Sequence, residues 1–138
     1  MYPMPRITIT RESLGHYTAT NEAGARLRFG EGEDDFSPVE LLLVALGGCT
    51  GMDVDYITSR RCEPEGFEIS VAAEKVKDPR HGNLLEDITV TFRLTFPDGD
   101  AGDAARQVLP AAAQRSHDRL CTVGRTVELP TPVSNHIE

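Results

Sequence analysis

No cluster of basic residues interrupts this chain: 14 Lys and Arg stand against 22 Asp and Glu, for a net charge of -8 over 138 residues. A surface that neutralises phosphates needs the opposite balance, so nucleic acid and anionic membrane are not expected partners. The N-terminus lacks the charged start and apolar core of a secretion signal; MYPMPRITIT carries two prolines and a strand-like alternation instead. The longest wholly apolar stretch, Leu41 to Leu46 followed by Gly47 and Gly48, is far too short to span a bilayer. These absences predict a soluble, cytoplasmic protein. There is no CxxC, and the cysteines are three, Cys49, Cys62 and Cys121; the histidines His16, His81, His117 and His136 are dispersed without ligand spacing. Neither a disulfide framework nor a metal or organic cofactor is therefore expected. No linker, repeat or low-complexity segment divides the chain, and a domain of this length buries roughly two-thirds of its unfolded surface. One domain over residues 1–138 is the expectation.

What is present reads as an α+β chain. ITIT (7–10), HYTAT (16–20) and ARLRF (25–29) are short β-branched or alternating runs that predict a meander, with Arg26 and Arg28 on one strand face. An acidic loop then leads into a strong helix start: Ser37 as N-cap, Pro38 at the first helical position, and Glu40 completing an S-x-x-E capping box. From Pro38 the helical pattern continues to about Arg60, and VELLLVAL is apolar nearly all round, which predicts burial on every side. FEISVAAEKV (67–76) and LLEDITVTFRLTF (84–96) read as two long strands joined by KDPRHGN, with Ile88, Val90, Phe92, Leu94 and Phe96 on one face. Residues 101–120 predict a helix that Pro110 splits in two, and TVELPTPVSNHI a last edge strand. Antiparallel strands with two principal helices packed on them follow.

The chemistry-bearing residues are the cysteines. Cys49 lies among Gly47, Gly48 and Gly51 in LGGCTGMD, although each interior glycine costs a helix roughly 1 kcal/mol relative to alanine. Missing side chains beside a sulfur let another backbone approach or open a channel to the thiol; close helix packing of an inert buried cysteine explains them equally well. Cys121 ends SHDRLC, where His117 four residues earlier shares its helical face and can exchange a proton with it, or is simply a solvated terminal histidine. Cys62, beside Glu63 after the helix end, reads as a boundary residue without a role.

SPVELLLVALGGCTGMDV, with a second cysteine 72 positions after the first in SHDRLCTV, resembles the OsmC/Ohr family of thiol-dependent hydroperoxide reductases, and its OsmC-like branch more than Ohr. The order of elements is similar over nearly the whole chain. The resemblance implies an OsmC-like fold, and the helix apolar on all sides, with more such surface than one face of a sheet can cover, predicts an intertwined homodimer. The resemblance also implies a peroxidase in which Cys49 is oxidised to a sulfenic acid and Cys121 resolves it as a disulfide, which an external dithiol then reopens. The apolar run around Cys49 suits an organic hydroperoxide. Members commonly have Pro after the second cysteine, where Thr122 stands here. They also have a thiolate-stabilising arginine in the first hairpin at about Ser13; Arg11 is the nearest candidate, with Arg26 and Arg28 as alternatives. The family glutamate right after the Pro is Val39 here, and the acid follows at Glu40. Nine residues of helix put Glu40 roughly 13 Å from Cys49 on the opposite face, so a catalytic Glu40 serves the cysteine of a partner subunit. Two other functions stay open: a small-molecule or lipid-binding module with little peroxidase activity, and a dimeric scaffold with inert cysteines.

Overall fold

The computed structural model of the chain describes residues 4–138 and divides them into two compact units, one ending at Leu42 and one running from Leu43 to Glu138. In the N-terminal unit, strands β1 (Ile7–Ser13), β2 (His16–Asn21) and β3 (Arg26–Gly30) form the expected antiparallel meander in the order β1-β2-β3. Gly15, at φ 78, makes the first turn in a backbone region that side chains disfavour. Tyr17 lies opposite Phe29 and stacks on it with ring centroids 5.6 Å apart. Every residue of β1 is exposed in the single chain, Ile7 and Ile9 included.

The long helix α1 (Pro38–Ser59) starts as its sequence dictates. The Ser37 backbone N–H donates to Glu40 Oε1 at 2.9 Å and the Glu40 N–H to Ser37 Oγ at 3.1 Å, a complete capping box. Beyond its C-terminus the Arg61 guanidinium donates to the Ile57 carbonyl at 3.3 Å, satisfying one of the orphan acceptors there. The C-terminal unit carries the rest of α1 with strands β4 (Gly66–Asp78) and β5 (Gly82–Thr95), helix α2 (Asp100–Arg115) and helix α3 (Thr122–Glu128). The long hairpin pairs Phe67 with Leu94, Ile69 with Phe92 and Val71 with Val90. The alternation along β5 holds: Ile88, Val90, Phe92 and Leu94 are half-buried and Phe96 buried, with the intervening residues exposed.

Three expectations are corrected. α1 is buried on one side only, through Leu46, Gly47, Thr50, Gly51, Val54 and Thr58; Val44, Met52 and Tyr56 are exposed. A two-stranded hairpin has too little surface to cover a helix all round. By length and composition α1 could cross a bilayer, yet it carries Glu40, Asp53 and Asp55, and Val54 and Thr58 are wholly buried in protein. Pro110 does not split α2, which runs unbroken through it. Its ring is on an exposed face, where water can bond the Arg106 carbonyl that a proline nitrogen cannot. The C-terminal segment is not an edge strand: residues 122–128 form α3, and 129–138 have no regular structure. Cys121 caps that helix and Pro130 stops it, which outweighs the β-propensity of its Thr and Val residues.

Candidate active site

Gly47 and Gly51 face β4. A Cβ at Gly47 would sit 2.5 Å from Val71 Cγ2, and one at Gly51 would collide with Ile69 Cδ1, whereas Gly48 has nothing within 4 Å among the described residues. Two of the three glycines thus bring the cysteine helix onto the hairpin. Cys49 emerges half-buried from the flank of this contact. Asp53 follows four residues later and so on the same helical face.

The chain after α2 turns once as a π helix, Ser116–Leu120, before Cys121 leaves it with φ -74 and ψ 100. The Cys121 N–H donates to the Ser116 carbonyl at 2.9 Å, closing that wider turn. Single π turns of this kind occur disproportionately at functional sites. Cys121 is therefore not inside a second helix but at a junction, where its Sγ caps α3 by accepting from the Gly124 N–H at 3.2 Å. It is buried, 3% exposed, and its thiol lies near enough to that of Cys49 for the two to interact. Burial pushes the Cys121 thiol above its ordinary range; the Gly124 N–H pulls it down, and interaction with Cys49 and the Asp53 carboxylate push it further up. The Cys121 proton is consequently held at neutral pH.

Beneath the sulfurs, Thr50 Oγ1 donates to Ser116 Oγ at 2.7 Å and Ser116 Oγ donates to Asp53 Oδ2 at 2.7 Å. Thr50 and Ser116 are buried. Sequence reading missed all three residues. The four-residue spacing of Cys49 and Asp53 was a signal available for one of them; Ser116 joins them only through tertiary structure.

Cys121 also lines a cavity of about 440 Å³, walled by Leu46, Leu85, Ile88, Val90, Phe92 and Val127, with Glu86, Asp87, His117 and Glu128 among its polar lining. Cys49 is not among the lining residues. Asp87, at φ 52, stands where β4 and β5 slip register between Ala72 and Glu74.

His117 does not serve Cys121 as its four-residue spacing suggested, because the π turn changes the phase. Its Nε2 meets Glu128 Oε1 at 2.7 Å and its Nδ1 meets Asp118 Oδ1 at 3.0 Å. Hydrogen bonding to Asp118, then to Glu128, raises its pKa above the ordinary histidine value. A raised pKa means that the tie is fully present below about pH 6.5 and is lost as pH rises through the higher folded value. An NMR titration of the His117 ring is expected to show a midpoint above that of an unperturbed histidine, falling in both Asp118→Asn and Glu128→Gln. An unshifted midpoint in the wild type contradicts the ion-pair geometry.

The other predicted site residues lie in the N-terminal unit. Arg11 pairs with Tyr17 across β1 and β2, which puts it on the sheet face of Tyr17 and Phe29. Arg26 and Arg28 pair with Thr20 and Thr18 on the other face, beside Glu12, whose carboxylate accepts from the Thr18 hydroxyl at 2.9 Å. Glu40 is exposed and occupied in its capping box. Cys62 is half-buried, its thiol 3.5 Å from the Glu63 carbonyl. No group of His, Cys, Asp or Glu able to hold a metal ion occurs among the described residues.

An α+β chain that joins a meander, a cysteine-bearing helix and a long hairpin, and brings a second cysteine to the first, defines a two-thiol protein class. The family model for OsmC-like proteins matches residues 30–135, and the chain belongs to that family. It is 28% identical over 134 residues to an uncharacterised protein of Mycobacterium tuberculosis, covering 95% of this chain and 94% of that protein. Among solved structures, an OsmC-like protein of unknown function from Vibrio cholerae aligns with a TM-score of 0.76 at 14% identity, over 92% of this chain and 95% of that one. An organic hydroperoxide resistance protein from Legionella pneumophila aligns with a TM-score of 0.58 at 12% identity, over 92% and 90%. These likenesses show the same fold.

Proposed function

We propose that the protein is a cytoplasmic thiol peroxidase for organic hydroperoxides. The observation that carries this is the proximity of the Cys49 and Cys121 thiols, with Cys121 lining a largely apolar cavity. The Cys49 thiolate attacks the terminal peroxide oxygen; the O–O bond breaks, the alcohol leaves with a proton, and Cys49 becomes a sulfenic acid. Cys121 attacks that sulfur, hydroxide leaves as water with the thiol proton, and a Cys49–Cys121 disulfide forms. A dithiol reduces it in two exchange steps. Arg11 is our candidate for stabilising the Cys49 thiolate and Glu40 for an acid supplied across subunits.

The active assembly in this reading is an intertwined homodimer. Val44, Gly48, Met52 and Tyr56 recur every four residues on the open side of α1, a stripe that a second copy can cover. The wholly exposed β1 likewise needs a covering surface.

A second reading, a small-molecule carrier, draws on the cavity, whose lining includes Cys121 and omits Cys49. Consumption of cumene hydroperoxide and of hydrogen peroxide by the purified protein with dithiothreitol separates the two. Turnover of the organic peroxide, preferred over hydrogen peroxide, supports the enzyme. Absence of turnover with both leaves the carrier.

A further inference from the structure

The Thr50–Ser116–Asp53 chain has no part in the reaction as written, yet it is built from the two segments that carry the cysteines. Thr50 and Asp53 are the next residue and the fourth after Cys49 on α1. Ser116, wholly buried, accepts from the first and donates to the second through its hydroxyl, while its own carbonyl holds the Cys121 N–H. One residue therefore ties the helix of one thiol to the backbone of the other.

We propose that Ser116, held by Asp53 and Thr50, is a positioning residue that keeps Cys121 against Cys49, so that the sulfenic acid is captured as a disulfide before a second peroxide oxidises it. This deepens the peroxidase reading and rests on it. The captured step is Cys49–S–OH plus Cys121–SH giving Cys49–S–S–Cys121 plus water: an S–S bond forms, S–O and S–H break, and the thiol proton leaves with the hydroxide. Its rate depends on the approach of two sulfurs, and a misplacement of about 1 Å costs roughly 100-fold in such a reaction.

The physical case is that a buried hydroxyl chain contributes little net stability compared with apolar packing, whereas a fully satisfied one fixes geometry. The Thr50 hydroxyl donates to Ser116 and the Ser116 hydroxyl to Asp53, so the carboxylate is the terminal acceptor and sets the direction of the chain. The same residue's carbonyl, that of Ser116, closes the π turn by accepting from the Cys121 N–H. From the opposite side the Gly124 N–H fixes the sulfur itself.

The test is the equilibrium of the Cys49–Cys121 pair with reduced and oxidised dithiothreitol, which reads the effective concentration of one thiol at the other without any peroxide. Ser116→Ala and Asp53→Ala are expected to lower it about tenfold, a rise of about 30 mV in reduction potential for a two-electron couple. Asp53→Asn, which keeps an acceptor for the Ser116 hydroxyl, is expected to recover most of the loss seen in Asp53→Ala. After peroxide treatment, mass spectrometry should find more Cys49 sulfinic acid in Ser116→Ala than in the wild type. Circular dichroism and the alkylation rate of Cys62 report whether a variant is folded. Should Ser116→Ala not fold, Thr50→Val, which removes only the donor to Ser116, must still lower the effective concentration. A folded Ser116→Ala with wild-type equilibrium overturns the proposal, as does an Asp53→Asn as impaired as Asp53→Ala, since the charge would then be responsible. If the wild type equilibrates with dithiothreitol and shows these variant effects but ignores peroxide, the peroxidase reading fails and the positioning role stands. If the wild type forms no Cys49–Cys121 disulfide at all, both fail.

Discussion

Given one equivalent of an organic hydroperoxide, the reduced protein is expected to lose the thiols of Cys49 and Cys121 together, to a single intramolecular disulfide, and to keep that of Cys62. The two thiols already lie near enough to interact, and bridging them requires a Cα separation of about 4.4–6.8 Å. Among the described residues the Cys62 thiol has a hydrogen-bond partner only in the Glu63 carbonyl. Replacing Cys49 by Ser should abolish turnover, since a hydroxyl lacks the nucleophilicity of a thiolate at neutral pH. Cys121→Ser should behave differently: the first peroxide is still reduced, but the sulfenic acid then persists and is driven to sulfinic acid by excess peroxide. The held proton of Cys121 fits this division of labour, because a protonated thiol does not compete for peroxide. Thiol titration and peptide mapping check each arm. A Cys49–Cys62 link, or wild-type turnover in Cys49→Ser, contradicts the assignment.

Much of this was legible in the chain itself. The capping box announced the start of α1 to the residue because Ser37, Pro38 and Glu40 act locally, within one turn. The alternation from Ile88 to Phe96 announced the hairpin because a half-buried strand has a period of two. The two cysteine contexts announced the pairing of Cys49 with Cys121 only by resemblance. What escaped was non-local. Helical phase carried His117 toward Cys121, but one π turn sends it to Glu128 instead, and nothing in SHDRL marks that turn. TVELPTPVSNHI has strand propensity, but Cys121, outside the preceding helix, caps a new one over Thr122–Glu128. The apolar stripe of α1 promised all-round burial, and the single chain supplies cover for half of it. That last discrepancy bears on assembly.

Gly47→Leu and Gly48→Leu, one residue apart, are expected to fail in opposite ways. At Gly47 a Cβ alone sits 2.5 Å from Val71 Cγ2, and valine, branched at Cβ, has little freedom to rotate away. Overpacking by an isobutyl group there should cost about 3 kcal/mol or more, against a total stability of about 5–15 kcal/mol, and push α1 off β4. The thermal midpoint should drop by many degrees, with the proposed peroxidase activity lost through unfolding. At Gly48 nothing within 4 Å opposes a side chain among the described residues, and exchanging a mid-helix glycine for leucine favours the helix by up to about 1 kcal/mol. The isolated chain should therefore tolerate Gly48→Leu and keep its circular dichroism spectrum. In the proposed dimer, however, Gly48 lies in the Val44–Met52–Tyr56 stripe, where a missing side chain permits close approach of the second copy. Leucine there wedges the interface apart and separates Glu40 from the site it would serve across subunits. Sedimentation equilibrium at micromolar concentration is expected to find dimeric wild type and monomeric, folded, inactive Gly48→Leu. A wild-type monomer that is stable at that concentration, or a monomeric Gly48→Leu with full activity, would mean that the thiols of one chain work without a partner.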